Sequence, residues 1–431
     1  DTFSHLQLSG EFGPFQRRLV LFSLPPCLSL AFHQFCQLFM VVDVPHYCNT
    51  DWIRAVGPNL TEEEQLNLTL PRDPSLLQEK ISAVIFFLCR FGRRPVLLIS
   101  ILLEGLFGVG IALVPHFYVY LAFRCVVGAS VSGIMMTLLA LATEWVGVSY
   151  RPQAVLLSHC CFAAGQMILA GLSYGIPNWR LLQIVGSIYQ SLLWQSCGTG
   201  WFHVPWKSQG MVKMSEEINV VFTHSCSICL VLLCSDFRFV NSLVYYGLSL
   251  NVTNFGLDIY LTQLAFGAVE IPGRVGCIFM LQWFGRKKSQ GGFLLLSGLV
   301  CLLLTVIPED QPVVITVLAT IGKFTASASF SSAYVYTAEL FPTIIRQSGV
   351  GLCSMVARVA GIIAPLILLL EQYHRVIPMA IYGGTTVLGG LLCFLLPETR
   401  GIELADGTEG GQPTAVVSDW QPPCCLLLVR R

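Results

Sequence analysis

Charge is scarce in this sequence of 431 residues. Only 12% of the residues are Asp, Glu, Lys or Arg, whereas 54% are hydrophobic and the mean hydropathy is +0.67. A soluble chain of this length needs more polar surface to enclose its core. The 25 basic residues balance the 25 acidic ones, so the chain lacks the basic surface that nucleic-acid binding requires. The composition argues against a soluble fold and a nucleic-acid partner, and it predicts a protein embedded in the lipid bilayer.

Motifs for nucleotide binding and catalysis are missing as well. The sequence has no GxxxxGK loop, which leaves ATP-driven transport without support, and it has no HExxH motif. Most of the 17 cysteines lie in apolar runs, where Cys packs as a small hydrophobic residue. We therefore expect no enzyme, no cofactor, no metal site and no disulfide framework.

Apolar runs indicate the number of membrane spans. Crossing a hydrocarbon core of about 30 Å takes about 20 helical residues, and eleven runs are long enough or nearly so. A further run, 81–89, has only nine residues, which is about half a span. The sequence predicts an all-α polytopic membrane protein of eleven or twelve helices, with a truncated second helix. The eleven runs lie near 19–42, 95–114, 117–141, 154–176, 180–197, 226–250, 258–282, 290–307, 312–337, 347–370 and 377–396.

Basic residues and glycosylation sequences predict the orientation. Arg17 and Arg18 precede the first run, and cytoplasmic segments carry the excess of Lys and Arg in membrane proteins. Asn59 and Asn67 stand in N-x-T sequences, which are glycosylated only on the lumenal side of the membrane. We therefore expect cytoplasmic N- and C-termini and a glycosylated outer loop at 43–80.

A short pattern occurs twice along the chain. FGRR returns as FGRK with its glycines 193 residues apart, and a Glu followed seven residues later by an Arg recurs at an offset of 195. Internal repeats of this kind are typical of transporters. The repeated residues are Gly92, Arg93, Arg94, Glu144 and Arg151 in the first copy, and Gly285, Arg286, Lys287, Glu339 and Arg346 in the second.

The repeat predicts two six-helix halves and a cytoplasmic gate. Gly permits a tight turn, and the basic side chains beside it can pair with carboxylates and helix C-termini on the inner face. Such a charge network would hold one conformation of an alternating-access carrier, whereas simple anchoring of the cytoplasmic loops is the alternative role. The predicted segments are a cytoplasmic N-terminus at 1–18, an N-terminal half at 19–200, a central cytoplasmic loop at 201–225, a C-terminal half at 226–400 and a cytoplasmic tail at 401–431.

Several motifs resemble the major facilitator superfamily, and within it the organic ion transporter branch, solute carrier family 22. They are FGRR, FGRK, TEWV with a following Arg, ELFPTIIRQSGVG at 339–351 and PETRG at 397–401. The runs 143–183 and 241–287 resemble the urate and nicotinate exchangers of that branch. The resemblance implies the major facilitator fold, a multi-pass protein of the plasma membrane, and small organic anions as substrates and exchange partners.

Basic residues inside apolar runs indicate the charge of the substrate. Arg274, Lys323 and Arg358 all lie in such runs, and an ionised side chain at membrane depth is costly and marks a functional site. Three positively charged side chains favour a negatively charged substrate. Glu270 lies four residues before Arg274, on the same helical face, and is expected to neutralise it in part.

The resemblance adds expected site residues. Arg274, Lys323 and Arg358 stand where organic anion transporters carry basic residues, and three aromatic residues match positions that would stack on a flat anion. For each aromatic residue, packing in the core is the alternative role. His33 and Gln166 are further candidates, polar enough to orient a ligand. The aromatic candidates are Tyr245, Tyr246 and Phe330.

Departures from the family keep a second hypothesis open. The outer loop is short, most of the second helix is missing, and the central loop lacks the PESxRWL-type motif of the family. A carrier needs both halves to move about its site. The chain is therefore either a secondary transporter of urate, nicotinate or related monocarboxylates, or a degenerate, transport-incompetent member with a scaffolding role or none.

Overall fold

The computed structural model describes residues 13–40, 93–145, 151–201, 225–254, 258–308, 310–341 and 346–400. Eleven α-helices fill most of these ranges. They are α1 Pro14–Met40, α2 Arg93–Leu113, α3 Phe117–Trp145, α4 Arg151–Gly175, α5 Trp179–Trp201, α6 Ser225–Leu250, α7 Ile259–Phe284, α8 Arg286–Val306, α9 Pro312–Leu340, α10 Arg346–Leu368 and α11 Val376–Cys393. Two short 3₁₀ helices, Asn251–Asn254 and Leu369–Gln372, follow α6 and α10.

Each of the eleven predicted runs corresponds to one of these helices, so the predicted all-α membrane fold is confirmed. By length and composition, nine of the helices in the described ranges can cross a membrane, namely all except α1 and α5. α1 contains two adjacent prolines, Pro25 and Pro26. The predicted half-length helix at 81–89 and the glycosylation sites Asn59 and Asn67 lie outside the described residues.

The helices pack in two groups. α1 contacts α3, α4 and α5, while α2 lies against α3 and α5. In the second group α6 contacts α9, α10 and α11, and α8 packs between α9 and α11. α4 runs along α7 and joins the groups. The division into two six-helix halves stays a prediction, because the second helix of the first half falls outside the described part of the chain.

α8 and α11 approach each other closely at two glycines. A Cβ atom on Gly298 would lie 2.9 Å from the carbonyl oxygen of Gly383, and a Cβ on Gly383 would lie 2.9 Å from the carbonyl oxygen of Gly298. Both obstacles belong to backbone, which cannot rotate away. In membranes, where lipid is as apolar as the side chains, close backbone packing of this kind is a main source of helix association.

We expect Gly298→Ala to destabilise the protein, because the added methyl group must push α8 away from α11. Overpacking of this kind costs about 1–3 kcal/mol. The measurement is the unfolding temperature of the detergent-solubilised protein. Gly292→Ala is the control, since a Cβ at Gly292, on the same helix, meets nothing within 4 Å. Equal unfolding temperatures for the two variants would contradict the packing described above.

Candidate functional site

A cavity lies between the two helix groups. Its lining comes from α1, α3 and α4 on one side and from α6, α9 and α10 on the other. The walls are mostly apolar and aromatic, with few polar groups, which is the usual composition of a small-molecule site. The lining residues are Leu30, Gln34, Val131, Met135 and Phe162 from the first group, and Tyr245, Tyr246, Phe330 and Arg358 from the second.

Among the described residues that line the cavity, Arg358 is the one with a positive charge. Its side chain is half-buried, on the middle of α10. On the opposite wall, the Gln34 amide donates a hydrogen bond of 2.6 Å to the hydroxyl of Tyr246. That bond joins α1 to α6 and places a polar pair in a cavity that is otherwise apolar apart from Arg358.

Three aromatic rings form one side of the cavity. Tyr245 lies edge-on to Tyr246 with ring centroids 5.4 Å apart, and it packs on Phe330 at 5.1 Å. These separations are typical of favourable aromatic pairs. The structure thus brings together four of the predicted site residues, Tyr245, Tyr246, Phe330 and Arg358.

A buried charge cluster lies behind this aromatic wall. Glu270 on α7 pairs with Arg274 through an Nη2–Oε2 distance of 2.5 Å and with Lys323 on α9 through an Nζ–Oε1 distance of 2.9 Å. The side chains of all three residues are at most 1% exposed. The Tyr245 hydroxyl donates to Oε1 of Glu270 at 2.8 Å. We call Glu270, Arg274 and Lys323 the charge triad.

The charge triad differs from the sequence-based expectation. Glu270 was expected to offset Arg274 alone, but its two oxygens are shared between Arg274 and Lys323. One carboxylate against two cations leaves one net positive charge. Arg274 and Lys323 are not part of the cavity lining, and Tyr245 stands between the charge triad and the cavity.

The other two predicted ligand residues lie outside the lining. Nδ1 of the buried His33 is 3.4 Å from the Gln183 amide of α5. Gln166 is fully buried in α4, and neither amide atom has a hydrogen-bond partner among the described residues. The polar residue that α1 presents to the cavity is Gln34, which sequence reasoning missed. Gln34 lies four residues after the lining residue Leu30, on the same face of α1, but the sequence carries no signal for which face of α1 meets the cavity.

A second polar cluster lies at the predicted cytoplasmic corner between α7 and α8. The Arg286 guanidinium donates to both oxygens of Glu339, at 3.0 and 3.3 Å from Nε. Thr399, in the PETR motif after α11, donates its hydroxyl to Glu339 at 2.7 Å. The predicted pairing of the basic turn with this glutamate is therefore present in the second copy of the repeat.

Gly285 explains why the basic turn begins with glycine. Its φ of +88° lies in the region that residues with side chains avoid, and a Cβ would lie 2.7 Å from the Glu398 carboxylate. That carboxylate accepts hydrogen bonds from the backbone N–H groups of Arg286 at 2.7 Å and Lys287 at 3.2 Å. A carboxylate at a helix N-terminus satisfies free donors and complements the helix dipole. Gly92 and the side chains of the other predicted gate residues, Arg93, Arg94, Glu144, Arg151 and Arg346, lie outside the described part of the structure.

Comparison with known proteins assigns the family. Residues 86–283 match the family described as Major Facilitator Superfamily, and residues 207–409 match the family described as Sugar (and other) transporter. Human organic anion transporter 3 is 31% identical, over 95% of this chain and 93% of its own length.

The fold has solved counterparts. A structure of the proton:xylose symporter XylE bound to 6-bromo-6-deoxy-D-glucose superposes with a TM-score of 0.64 at 18% identity, covering 90% of this chain and 97% of that one. An inward-open structure of the xylose transporter from E. coli gives the same TM-score and covers 98% of that chain. At this identity the likeness concerns the fold alone.

Human solute carrier family 22 member 13 is 37% identical, over 92% of this chain and 90% of its own length. The alignment has 504 positions, more than the 431 residues of this chain, so the relative contains segments that this chain lacks. With this identity across nine-tenths of both proteins, the chain belongs to solute carrier family 22 of the major facilitator superfamily.

Proposed function

We propose that this multi-pass membrane protein is a secondary carrier of small organic anions that works by alternating access and exchanges one anion for another. Urate, nicotinate and related monocarboxylates are the proposed substrates, and the plasma membrane is the proposed location. The observation that carries the proposal is Arg358, the cation that lines the cavity between the two helix groups.

Arg358 suits an anionic ligand. A guanidinium is always charged and presents its N–H donors in a planar fork that matches a carboxylate. No carboxylate of the described residues forms an ion pair with Arg358, whereas Arg274 and Lys323 share Glu270. In a cavity with apolar walls, the attraction between such a cation and an anion is much stronger than in water.

The aromatic side of the cavity suits a flat ligand. Tyr245, Tyr246 and Phe330 present ring surfaces beside Arg358, and a heteroaromatic anion can place its ring against them and its negative charge on the guanidinium. The Tyr246 hydroxyl and the Gln34 amide provide hydrogen-bonding groups that can fix the orientation of such a ligand. This combination supports urate and nicotinate over an aliphatic anion.

The charge triad supports the same sign of substrate. Its net positive charge lies behind Tyr245, and the low dielectric of the surrounding helices screens it little. The bond from the Tyr245 hydroxyl to Glu270 also holds that ring in its place at the cavity wall. The charge triad therefore contributes positive potential to the cavity and rigidity to the ring that contacts the ligand.

Relatives and the cytoplasmic corner support transport. One similar protein bears the name organic anion transporter 3. We infer anion transport for this chain from that similarity together with the position of Arg358. The bond between Arg286 and Glu339 is the kind of exchangeable contact that can stabilise one conformation of a carrier.

A second candidate rests on a specific feature of the sequence. The apolar run at 81–89 is nine residues long, too short to cross the membrane as a helix. A chain whose second helix is incomplete would still belong to the family, but it would not transport a substrate.

Arg358→Ala is the first test of transport. We expect uptake of labelled nicotinate and urate into cells that express the chain to fall at least about tenfold, because a hydrogen-bonded charge contributes about 1.5–3 kcal/mol. Surface biotinylation shows whether the variant reaches the surface at the level of the parent. Arg180→Ala is the matched control, since Arg180 is an exposed arginine at the start of α5, and it should leave uptake unchanged.

The same cells distinguish the two candidates. Preloading with unlabelled nicotinate should accelerate uptake of the labelled anion if the carrier exchanges anions. A parent chain that is present at the surface and takes up neither nicotinate nor urate would favour the transport-incompetent candidate. Uptake that survives in Arg358→Ala would contradict the proposed site.

Glu270→Gln tests the charge triad. The change leaves Arg274 and Lys323 side by side without a counter-charge, and breaking a buried ion pair from one side costs about 3–5 kcal/mol. We expect a lower unfolding temperature in detergent and less protein at the cell surface. The double variant Glu270→Gln/Lys323→Met restores a single net charge and should recover most of the loss. A Glu270→Gln protein as stable as the parent would refute this account.

A further inference from the structure

Arg238 is a buried cation that neither the cavity nor the charge triad uses. It lies in the middle of α6 and is 3% exposed. An arginine stays protonated in proteins, so burial cannot neutralise it. Its environment in the membrane-spanning region therefore has to supply negative charge or hydrogen-bond acceptors.

The described residues supply hydrogen-bond acceptors but no negative charge. Nη2 of Arg238 donates to the Ser354 hydroxyl at 2.8 Å, and the guanidinium carbon lies 3.6 Å from the centroid of the Tyr334 ring. The Nε–H group is buried and has no acceptor among the described residues. Tyr334 also forms a side-chain hydrogen bond with Arg238. The neutral groups around the guanidinium therefore provide acceptors, but no carboxylate of the described residues balances its charge.

The nearest acidic residue along the chain does not pair with Arg238. Asp236 is two positions earlier on α6, and residues two apart point to different sides of a helix. One oxygen of Asp236 lies 3.4 Å from the position of a Cβ on Gly389, so this carboxylate faces α11. No ion pair joins Arg238 to any carboxylate in the described ranges.

Arg238 lies next to the cavity. Its partner Ser354 is four residues before Arg358 on α10, which is about 6 Å along the helix axis. Tyr334, under the guanidinium, packs on the cavity residue Phe330 with ring centroids 5.4 Å apart. The contact between Arg238 and Ser354 thus lies about one helical turn from Arg358, toward the N-terminal end of α10, which the basic residues predict to be cytoplasmic.

We propose that Arg238 is a second anion-binding site of this carrier, on the cytoplasmic side of the Arg358 cavity, and that it takes a carboxylate group or a halide ion. The anion accepts from the free Nε–H and from the remaining N–H groups of the guanidinium. Ser354 accepts from Arg238 through its oxygen and is hydrogen-bonded to Tyr334, so it positions the guanidinium beside the anion. The inference goes beyond the proposed function, because it concerns a site that the transported anion need not occupy.

Two sources can supply such an anion. One is the carboxylate of the transported molecule on its way to the cytoplasm, and the other is chloride from the medium. Both satisfy the same chemistry, a single negative charge that accepts several hydrogen bonds. They differ in which anion stabilises the protein.

The test is the unfolding temperature of the purified full chain in detergent, at constant ionic strength, with bulky isethionate as the reference anion. Chloride or nicotinate is titrated in, and binding to the folded state raises the unfolding temperature. The Arg358→Gln variant removes the cavity cation, so any remaining anion-dependent rise must come from elsewhere. We expect that rise to persist in Arg358→Gln and to disappear, or to need about tenfold or more anion, in Arg358→Gln/Arg238→Gln.

The controls separate the sources and guard against misfolding. A rise with chloride assigns the site to a halide, and a rise with nicotinate alone assigns it to the carboxylate. Arg358→Gln/Arg180→Gln should behave like Arg358→Gln. An Arg358→Gln protein that responds to neither anion overturns the proposal without any change at Arg238, and so does an equal response of the Arg238 double variant. Absence of uptake in cells would not change these unfolding temperatures, so the proposed transport function and the proposed Arg238 site can be refuted independently.

Discussion

The structure depends on how positive charge is compensated among apolar helices. Within the described ranges, four basic side chains on α6, α7, α9 and α10 lie inside apolar helices, and their charge is compensated in three different ways. Arg274 and Lys323 divide the two oxygens of Glu270, Arg358 opens onto the cavity, and Arg238 has a hydroxyl and an aromatic face. Because Arg238, Arg274 and Lys323 are at most 3% exposed, the groups that compensate them have to come from neighbouring helices. α6, α7, α9 and α10 meet where this compensation occurs.

Tyr245 connects the charged interior to the cavity. Its hydroxyl donates to Glu270 while the Lys323 ammonium lies 3.4 Å from its ring centroid, and the same ring lines the cavity beside Phe330. One side chain thereby couples the position of three charges to the shape of the ligand wall. A shift of α7 relative to α6 would change both together, which is the type of linkage that an alternating-access carrier requires.

The fold was predictable because lipid imposes run lengths that a sequence displays directly, as the run 226–250 and the helix Ser225–Leu250 illustrate. The pair Arg286 and Glu339 was predictable from the repeat. The second partner of Glu270 was not, since Lys323 lies on another helix and only packing brings it near. The sequence indicated His33 and missed Gln34, because α1 is apolar nearly all round and its neighbouring residues point about 100° apart. Composition alone does not indicate which of two neighbouring polar residues faces a cavity.

The corner at Gly285 has a consequence for the order of assembly. The first turn of α8 is completed by Glu398, which is synthesised 112 residues after Arg286. While the ribosome makes α9, α10 and α11, the N–H groups of Arg286 and Lys287 lack this acceptor, and so the start of α8 must be held by water or lipid headgroups. The second helix group therefore closes on itself only when the segment after its last helix has emerged. A chain that ended after Cys393 but before Glu398 would retain every helix of the described ranges and still leave this corner open.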